Sequence, residues 1–317
     1  MISVAAIVGP TGVGKTEVAL EVAERLGAEI VSVDSMQIYK GMDIGTAKPS
    51  IEEQRRVPHH LIDRLEPSHE LTVVEYQSLG RRAIEEIAAR DALPLLVGGS
   101  GLYFRAIVDD LRFPPRVLEI RAALEAEAAE EGPEALHARL SRLDERAAAA
   151  IEPSNVRRTI RALEVIAATG RRFSDNATEW GRYASGYRLA VAGLTRSRAE
   201  LFDRIRARVD RMIEDGLVDE ARALDDRGMS RTARQALGYR QVIDAGPIAR
   251  GANLSDEITQ ATKRFARRQD SWFKADPRVV WFDASEPHVV ERIHDHFSSI
   301  LRHARDETVT PPRPAAR

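Results

Sequence analysis

Cysteine is absent from this chain of 317 residues. Without thiols the protein can form neither a disulfide framework nor a thiolate zinc site. Long apolar runs are absent as well. The run at residues 4–8 is too short for a signal-peptide core or a membrane span, and no later run exceeds it. We therefore expect a cytoplasmic protein that does not enter a membrane.

A strong excess of either charge is also missing, since the formal net charge is −2. Hydrophobic residues make up 43% and charged residues 30%, which is ordinary for a soluble globular protein of full-sized core. Two segments depart from this balance. Residues 155–172 carry five arginines against one glutamate, and residues 262–274 carry five basic residues against one aspartate. Such clusters are usually solvated helix faces and by themselves indicate nucleic acid only weakly.

Short runs rich in β-branched residues alternate with helical patterns along the chain. The segment Lys15–Leu26 has one apolar face, and capping boxes at residues 72–75 and 197–200 predict two further helix starts. This alternation predicts an α/β fold, a parallel sheet covered by helices on both faces. The predicted buried strands are Ile2–Val8, Glu29–Val33, Leu93–Val97, Arg188–Leu194 and Val279–Phe282.

The alternation stops between residues 114 and 186, which are rich in Ala, Glu, Arg and Leu with Gly and Pro stops. We interpret this segment as an all-helical insertion domain. It divides the core into residues 1–113 and 187–300, and the second part contains a long basic helix from about Ser255 to Lys274. Residues 301–317 are predicted to be a disordered tail.

The stretch "GPTGVGKT", Gly9–Thr16, fits the phosphate-binding pattern G-x-x-x-x-G-K-[ST]. An apolar strand precedes it and an amphipathic helix follows, which an incidental glycine-rich turn would not require. Backbone N–H groups and the helix N-terminus attract phosphate oxygens. Lys15 adds a full positive charge, and the Thr16 hydroxyl is placed to bind Mg²⁺. The motif predicts a site for a diphosphate-like group with Mg²⁺, without specifying ATP.

Other features separate this chain from common P-loop classes. It has no N-K-x-D stretch for guanine, and its later strand ends "LLVGGSG" without a metal-holding aspartate. Asp34, after "IVSV", is instead the acid at the carboxyl end of a strand, where open α/β sheets bind ligands. Its neighbours Ser35, Gln37 and Tyr39 offer hydrogen bonds and a stacking face. A plain turn or cap role for Asp34 is equally compatible with its position.

Seven blocks complete the pattern, and together they resemble bacterial tRNA dimethylallyltransferases from Ile2 to about Phe282. The blocks are "GPTGVGKT", "VDSMQIYKGMDIGTAKP", "VPHHLID", "LLVGGSGLYF", "RRTIRALEV", "ALGYRQ" and "RRQDSWF". The resemblance implies a P-loop NTPase-like core with a helical insertion. It also implies transfer of a dimethylallyl group from dimethylallyl diphosphate to N6 of an anticodon-loop adenine, position 37, in tRNAs that read codons starting with U. Diphosphate is released, and we expect a monomer.

The resemblance implies roles for the phosphate-binding loop Gly9–Thr16, here called the cradle or P-loop, and for other residues of the site. Lys15, Thr16, Asp34 and Ser100 would be catalytic: Thr16 would also bind Mg²⁺, Asp34 would accept the N6 proton as general base, and Ser100, where relatives often have threonine, would bond the substrate. Arg208 would bind diphosphate, with Arg204 as its near competitor. The remaining diphosphate-binding residues implied are Gly9, Pro10, Thr11, Gly12, Val13 and Gly14.

The acceptor adenine would have to be extruded from its stack, and Met36 and Gln37 are candidates to hold or replace it. In "FPPRVLEI", Val117 stands where relatives usually carry an aspartate that touches RNA, so that contact cannot be carried over. The tRNA-contacting residues implied are Asp34, Ser35, Met36, Gln37, Ser100, Arg157, Arg158, Arg161, Arg234, Gln235, Gly238, Tyr239, Arg240, Lys263, Arg264, Arg267 and Arg268.

Three alternatives share part of the pattern. A P-loop kinase of a small acceptor would use the cradle and Asp34, but it leaves the arginine-rich segment and "GYRQ" unexplained. A prenyltransferase acting on free AMP, ADP or ATP would need little of the helical insertion. A non-catalytic RNA-binding regulator switched by nucleotide would not need Lys15, Thr16 and Asp34 intact.

Overall fold

The chain folds into two compact units. The computed structural model describes residues 1–176, 181–246 and 252–307. One unit comprises Met1–Asp109 with Ser185–Arg317, and the other comprises Asp110–Ala184. Within the described part of the chain, no helix is both long enough and apolar enough to cross a bilayer.

The larger unit is built on a single six-stranded sheet in the order β3-β2-β4-β1-β5-β6. All of its strand pairs are parallel, which confirms the predicted α/β fold. The sequence pattern missed the two-residue edge strand β3, because His59 and His60 carry no β-branched signal. The strands are β1 Ser3–Val8, β2 Ala28–Val33, β3 His59–His60, β4 Leu93–Gly98, β5 Arg188–Thr195 and β6 Val279–Asp283.

The described helices cover both faces of the sheet and form the smaller unit. They are α1 Lys15–Leu26, α2 Ile51–Arg56, α3 Val73–Ala88, α4 Gly101–Val108, α5 Leu118–Glu131, α6 Pro133–Leu143, α7 Glu145–Ala150, α8 Val156–Thr169, α9 Arg198–Glu214, α10 Leu217–Asp226, α11 Tyr239–Asp244, α12 Ala252–Lys274 and α13 Val289–Glu307. Short 3₁₀ turns occupy Phe173–Asn176 and Ala233–Gln235.

Helix ends follow local chemistry where the sequence predicted them. The Thr72 hydroxyl accepts the Glu75 N–H at 3.2 Å to start α3, and the Ser197 hydroxyl accepts the Glu200 N–H at 3.3 Å to start α9. The other end of the chain differs from expectation. Helix α13 continues to Glu307, so the predicted disorder from residue 301 is wrong for its first seven positions; residues 308–317 lie outside the described part.

The smaller unit, residues 110–184, is helical with a hydrophobic core of its own, whereas the sequence placed the insertion at 114–186. Leu136 and Leu140 of α6 are fully buried and pack with Leu163 of α8. Asp144 links the short elements, since its carboxylate accepts N–H groups from Ala147 at 3.1 Å and Ser174 at 2.7 Å.

The segment after β2, residues 34–49, is held by two charged side chains. The Glu220 carboxylate on α10 accepts the N–H groups of Asp43 at 3.1 Å, Ile44 at 3.0 Å and Gly45 at 3.3 Å. Inside the loop, the buried Lys48 ammonium binds the Tyr39 carbonyl at 2.9 Å and two aspartate carboxylates. The loop therefore has a defined shape, and it fixes where Asp34 and Gln37 stand.

Candidate active site

A cavity of about 510 Å³ opens at the carboxyl edge of the sheet. The loops that follow β1, β2 and β4 line it, together with residues of α1, α2, β3, α9 and α12. Ligands of open α/β sheets bind at this edge, because the loops there diverge and leave a crevice. Among the described residues, those that line this cavity all belong to the larger unit.

Cations hold the carbonyl oxygens of the P-loop. The Lys15 ammonium binds the carbonyls of Gly9 at 3.0 Å and Pro10 at 2.9 Å. Arg204 donates to the Gly12 carbonyl at 2.9 Å, and Arg196 donates to the Val13 carbonyl at 2.9 Å. A trans peptide places C=O and N–H on opposite sides, so holding the Val13 carbonyl turns the next N–H the other way. This is the backbone arrangement that an anion-binding nest requires.

The eight predicted cradle residues divide into two groups. Thr11, Gly12, Gly14, Lys15 and Thr16 line the cavity, whereas Gly9, Pro10 and Val13 do not. The second group is structural: Val13 is buried in the core, and the other two supply the carbonyls that bind Lys15. Gly9 has φ +148°, and a Cβ there would lie 2.7 Å from the Leu194 carbonyl oxygen, so only glycine fits.

Positive charge concentrates on the P-loop side of the cavity. Arg208 lines the cavity and makes no hydrogen bond with the described residues, whereas Arg204 is committed to the P-loop carbonyl. The pKa of Lys15 is lowered to about 7, chiefly by burial and also by the neighbouring Arg208, while Asp34 opposes both effects. Burial likewise lowers the pKa of Arg208, again against the effect of Asp34. The free site thus holds cations that a bound anion would stabilise.

Asp34 faces this positive group from the end of β2. It lines the cavity, and one carboxylate oxygen accepts the Met36 N–H at 2.9 Å. Both interpretations of its position therefore hold, since Asp34 stabilises a turn and also reaches the site. Gln37 lines the cavity too, but its carboxamide accepts from the Ser32 hydroxyl at 2.8 Å and donates to the Thr46 carbonyl at 3.3 Å. Gln37 is consequently held in one orientation.

Three of the predicted acceptor-side residues do not line the cavity. Ser35 is buried, and Met36 packs against the hydrophobic core. Ser100 is the N-cap residue of α4, next to the lining residue Gly99.

Two tyrosines are placed differently from our expectation. Tyr39, expected to offer a stacking face, is fully buried and donates its hydroxyl to the His69 carbonyl at 3.1 Å. Tyr239, expected to touch RNA, is also fully buried, and its hydroxyl donates to the Glu220 carboxylate. The stacking face expected of Tyr39 was therefore wrong, and the buried ring of Tyr239 does not favour the RNA contact, because the short patterns "QIYK" and "LGYR" cannot distinguish a core ring from an exposed one.

The three arginines of α8 differ in their exposure and in their contacts. Arg157 and Arg158 are exposed in its first turn. Arg161 is instead 28% exposed and donates to the carbonyls of Pro114 at 2.7 Å and Pro115 at 3.0 Å. Its guanidinium anchors the segment before α5, so the structure does not favour the predicted RNA contact. In that segment the Val117 N–H donates to the buried Glu164 carboxylate at 2.9 Å.

Helix α12 carries a second basic surface in the larger unit. Arg264, Arg267 and Arg268 are exposed, while Lys263 is half-buried. The Lys263 ammonium and the Arg267 guanidinium both lie over the Phe202 ring, 5.0 and 5.1 Å from its centroid. These cation–π contacts order two long side chains without removing their charge from the surface.

The "ALGYRQ" region contributes fewer free groups than predicted. Arg234 and Arg240 are exposed but form ion pairs with Asp225 at 2.5 Å and Asp244 at 3.2 Å. Gln235 is exposed, whereas Gly238 is buried at the start of α11. Exposed pairs of this kind are weak, so both arginines can exchange their partners for phosphate.

Sequence reasoning overlooked several residues that line the cavity, among them His59, Arg211, Phe265 and Gln269. Two of these fall within or beside quoted blocks, "VPHHLID" and "RRQDSWF", yet nothing in their local spacing points to a cavity. Burial lowers the pKa of His59 on β3, and its hydrogen bond to the Val57 carbonyl at 2.7 Å opposes that shift.

The parallel sheet, the P-loop and the acid that faces it define a P-loop group-transfer enzyme. Comparison with known proteins shows the family to which the chain belongs. The IPP transferase family matches residues 37–276. A tRNA dimethylallyltransferase from Thermobifida fusca (strain YX) is 49% identical over 97% of this chain and 99% of its own length. One from Streptomyces coelicolor is 52% identical over 88% of this chain and 89% of its own length.

Solved structures agree in fold. The tRNA isopentenylpyrophosphate transferase of Bacillus halodurans superposes with a TM-score of 0.72 at 40% identity, covering 98% of this chain and 100% of that one. A eukaryotic dimethylallyltransferase acting on tRNA reaches a TM-score of 0.75 at 23% identity, covering 100% of this chain and 82% of its own, and shows the shared fold. The chain belongs to the IPP transferase family, the prenyltransferase family of the tRNA dimethylallyltransferases.

We expect pyrophosphate to bind this site with uptake of a proton by Lys15. The free ammonium has a pKa of about 7, and the negative ligand favours its charged form. Affinity should therefore fall as pH rises above 7, by up to about tenfold per pH unit. Calorimetry without Mg²⁺ at pH 8.5, in two buffers of different ionisation enthalpy, measures the uptake directly.

The matched control is Lys15→Arg, whose guanidinium stays charged at this pH. Protonation of pyrophosphate itself contributes equally to both proteins. The wild type should take up roughly one proton more than the variant. Equal uptake by the two proteins would show that Lys15 does not titrate in this range.

Proposed function

We propose that this enzyme transfers the dimethylallyl group of dimethylallyl diphosphate to N6 of adenine 37 in the anticodon loop of tRNAs that read codons starting with U. N6-dimethylallyladenosine and diphosphate are the products. One observation carries the proposal: a single cavity is lined both by a P-loop with its neighbouring cations and by an acid, Asp34, that follows a different strand. Membership of the IPP transferase family supports the same reaction.

The donor occupies the P-loop side. Its diphosphate accepts hydrogen bonds from loop amides and lies against Lys15 and Arg208, both of which line the cavity. As the bond from the allylic carbon to oxygen breaks, its electron pair leaves with the diphosphate. The cations therefore stabilise charge that grows in the transition state, which is where such groups accelerate a reaction.

The acceptor amine approaches from the Asp34 side. N6 of adenine is a poor nucleophile, because its lone pair is delocalised into the ring. A carboxylate that takes the N6 proton as the new C–N bond forms removes this difficulty. Asp34 is supported in this role by its place on the cavity wall and by the Met36 N–H that orients its side chain.

Mg²⁺ fits the donor side. Thr16 is exposed and lines the cavity. The described residues contain no cluster of three or more His, Cys, Asp or Glu side chains that would hold a metal by themselves. Mg²⁺ is often bound by one or two protein groups together with substrate phosphates. Thr16 is the residue that would hold it, and the ion would supply further neutralisation of the leaving group.

The tRNA is held by basic residues on each unit. Arg157 and Arg158 are exposed on α8, and Arg264, Arg267 and Arg268 are exposed on α12. Arginine recognises phosphate through paired N–H groups, and clustered positive charge attracts a nucleic-acid backbone. Exposure of these side chains supports an RNA acceptor over a free nucleotide, which would need none of them.

The direct test is to incubate the protein with labelled dimethylallyl diphosphate and an anticodon stem-loop, and separately with labelled ATP or AMP. Label from the prenyl donor should enter the stem-loop and be lost when adenine 37 is replaced by guanine. Transfer from ATP to a small acceptor would identify a kinase, and prenylation of AMP as readily as the stem-loop would identify a free-nucleotide enzyme. Either result would replace the proposal.

Replacing Asp34 by asparagine should slow single-turnover transfer by about 10²–10⁴-fold, because the amide cannot accept the proton. Stem-loop affinity should stay within about threefold, since the shape of the side chain is kept. The control is Asp91→Asn, which makes the same change in an exposed loop. Asn adopts the backbone conformation found there as readily as Asp does, so this variant should leave the transfer rate unchanged. Collapse of stem-loop binding with surviving chemistry would make Asp34 a recognition residue.

Replacing both Arg157 and Arg158 by alanine should reduce the salt dependence of stem-loop binding. Each phosphate contact on a single-stranded loop contributes about −0.7 to the log–log slope, so four contacts weaken binding about 50-fold between roughly 50 and 200 mM salt. Losing two contacts should leave about a sevenfold change. Fluorescence anisotropy at several salt concentrations measures the slope.

The control pair is Arg142→Ala with Arg146→Ala, which removes the same charge from two exposed positions of the same unit. Its slope should match the wild type. If both double variants shift the slope equally, net charge rather than a contact of α8 is responsible. Pyrophosphate affinity should be unchanged in both.

A further inference from the structure

Gln269 connects two loops of the cavity through one side chain. It lies on α12, is 7% exposed, and lines the cavity. Its carboxamide oxygen accepts the N–H of Thr11 in the P-loop at 2.8 Å. Its carboxamide nitrogen donates to the carbonyl of Gly99, in the turn after β4, at 2.9 Å. Both polar ends of the side chain are therefore used.

The position of this bridge follows from the sheet. Strands β1 and β4 are neighbours whose pairing ends at Val8 and Gly98. Beyond these residues the two segments diverge: the one after β1 continues into the P-loop, and the one after β4 continues into the β4–α4 turn. The Gln269 carboxamide carries one donor and one acceptor, like a peptide group. The Gln269 carboxamide therefore links the two segments by hydrogen bonds at the point where their backbones no longer pair.

Packing shows that the bridge has little freedom to move. A Cβ on Gly99 would lie 2.2 Å from the Gln269 amide nitrogen, and a Cβ on Gly101 would lie 1.9 Å from Cδ1 of Trp272. Gln269 and Trp272 are three residues apart and share a face of α12. Gly99 and Gly101 of "GGSG" thus form the surface on which this helix docks.

We propose that Gln269 is a positioning residue that holds the part of the P-loop around Thr11 at a fixed distance from the β4–α4 turn. The inference rests on the proposed function. In the free protein, Lys15 restrains the same part of the loop through the carbonyls of Gly9 and Pro10. An incoming diphosphate competes with those carbonyls for the ammonium. Gln269 then remains as the restraint that keeps the donor aligned with the acceptor.

The test compares Gln269→Met, which keeps the length and removes both hydrogen bonds, with Gln77→Met. Gln77 on α3 likewise donates to a backbone carbonyl, that of Ala106 at 2.7 Å, but it does not line the cavity. Misplacement of about 1 Å can reduce a rate about 100-fold. We therefore expect Gln269→Met to lower kcat by about 10- to 100-fold relative to Gln77→Met. Stem-loop affinity should stay within about twofold of the wild type, and the melting temperature close to that of Gln77→Met.

A kcat within about twofold of Gln77→Met would overturn the inference. So would a lower affinity for dimethylallyl diphosphate with kcat unchanged, or a loss of activity that parallels the loss of folded protein. Gln269→Glu serves if the methionine variant does not fold, because its carboxylate can still accept the Thr11 N–H. Its charge should weaken pyrophosphate binding at least about tenfold if the side chain borders the diphosphate, and unchanged binding would exclude that position.

Failure of the proposed function gives a different result. If the wild type transfers no dimethylallyl group, the reaction is wrong for every variant. Pyrophosphate affinity, measured by calorimetry without any acceptor, then still decides whether Gln269 controls the P-loop. Wild-type affinity in both Gln269→Met and Gln269→Glu would show that it does not.

Discussion

The geometry of the site depends on cations that bind the backbone carbonyls of the P-loop. Lys15 holds two of these oxygens from inside the loop, and Arg196 and Arg204 hold two more from outside. The loop is thereby shaped before any ligand arrives, which lowers the entropy lost on binding. Burying the Lys15 ammonium beside Arg208 has an electrostatic cost, visible in the lowered pKa of Lys15. A bound anion would relieve that cost.

The loop after β2, which contains Asp34, is shaped instead by carboxylates that accept hydrogen bonds from backbone N–H groups. Glu220 binds three consecutive amides of the loop after β2, and Asp34 binds the amide of Met36. These contacts fix a loop that contains no strand or helix of its own between residues 34 and 49. The proposed donor and acceptor sides thus lie on the loops after β1 and β2, two strands that β4 separates in the sheet. Gln269 is a side chain that ties the donor loop to the rest of the cavity edge.

Arginine serves three purposes in this chain, and local charge density does not separate them. Arg196 and Arg204 shape the P-loop, Arg161 anchors the segment before α5, and Arg157 and Arg158 are free at the surface. A cluster of basic residues in the sequence therefore overstates the number available to RNA. The distinction depends on which carbonyl oxygens lie within reach after folding, and a guanidinium with five N–H groups accepts either partner.

Local pattern was sufficient for the P-loop, for helix α1 and for five of the six strands, because each depends on residues within a turn or a strand of one another. It was also sufficient for the family and for the presence of Asp34 at a strand end. It could not find Gln269, whose partner Thr11 is 258 positions away, nor the burial of Tyr39 and Tyr239. Those features arise only when the sheet brings distant segments together. A hydrogen bond between remote residues leaves no periodic trace along the chain, since its geometry is set by the packing of α12 on two glycines.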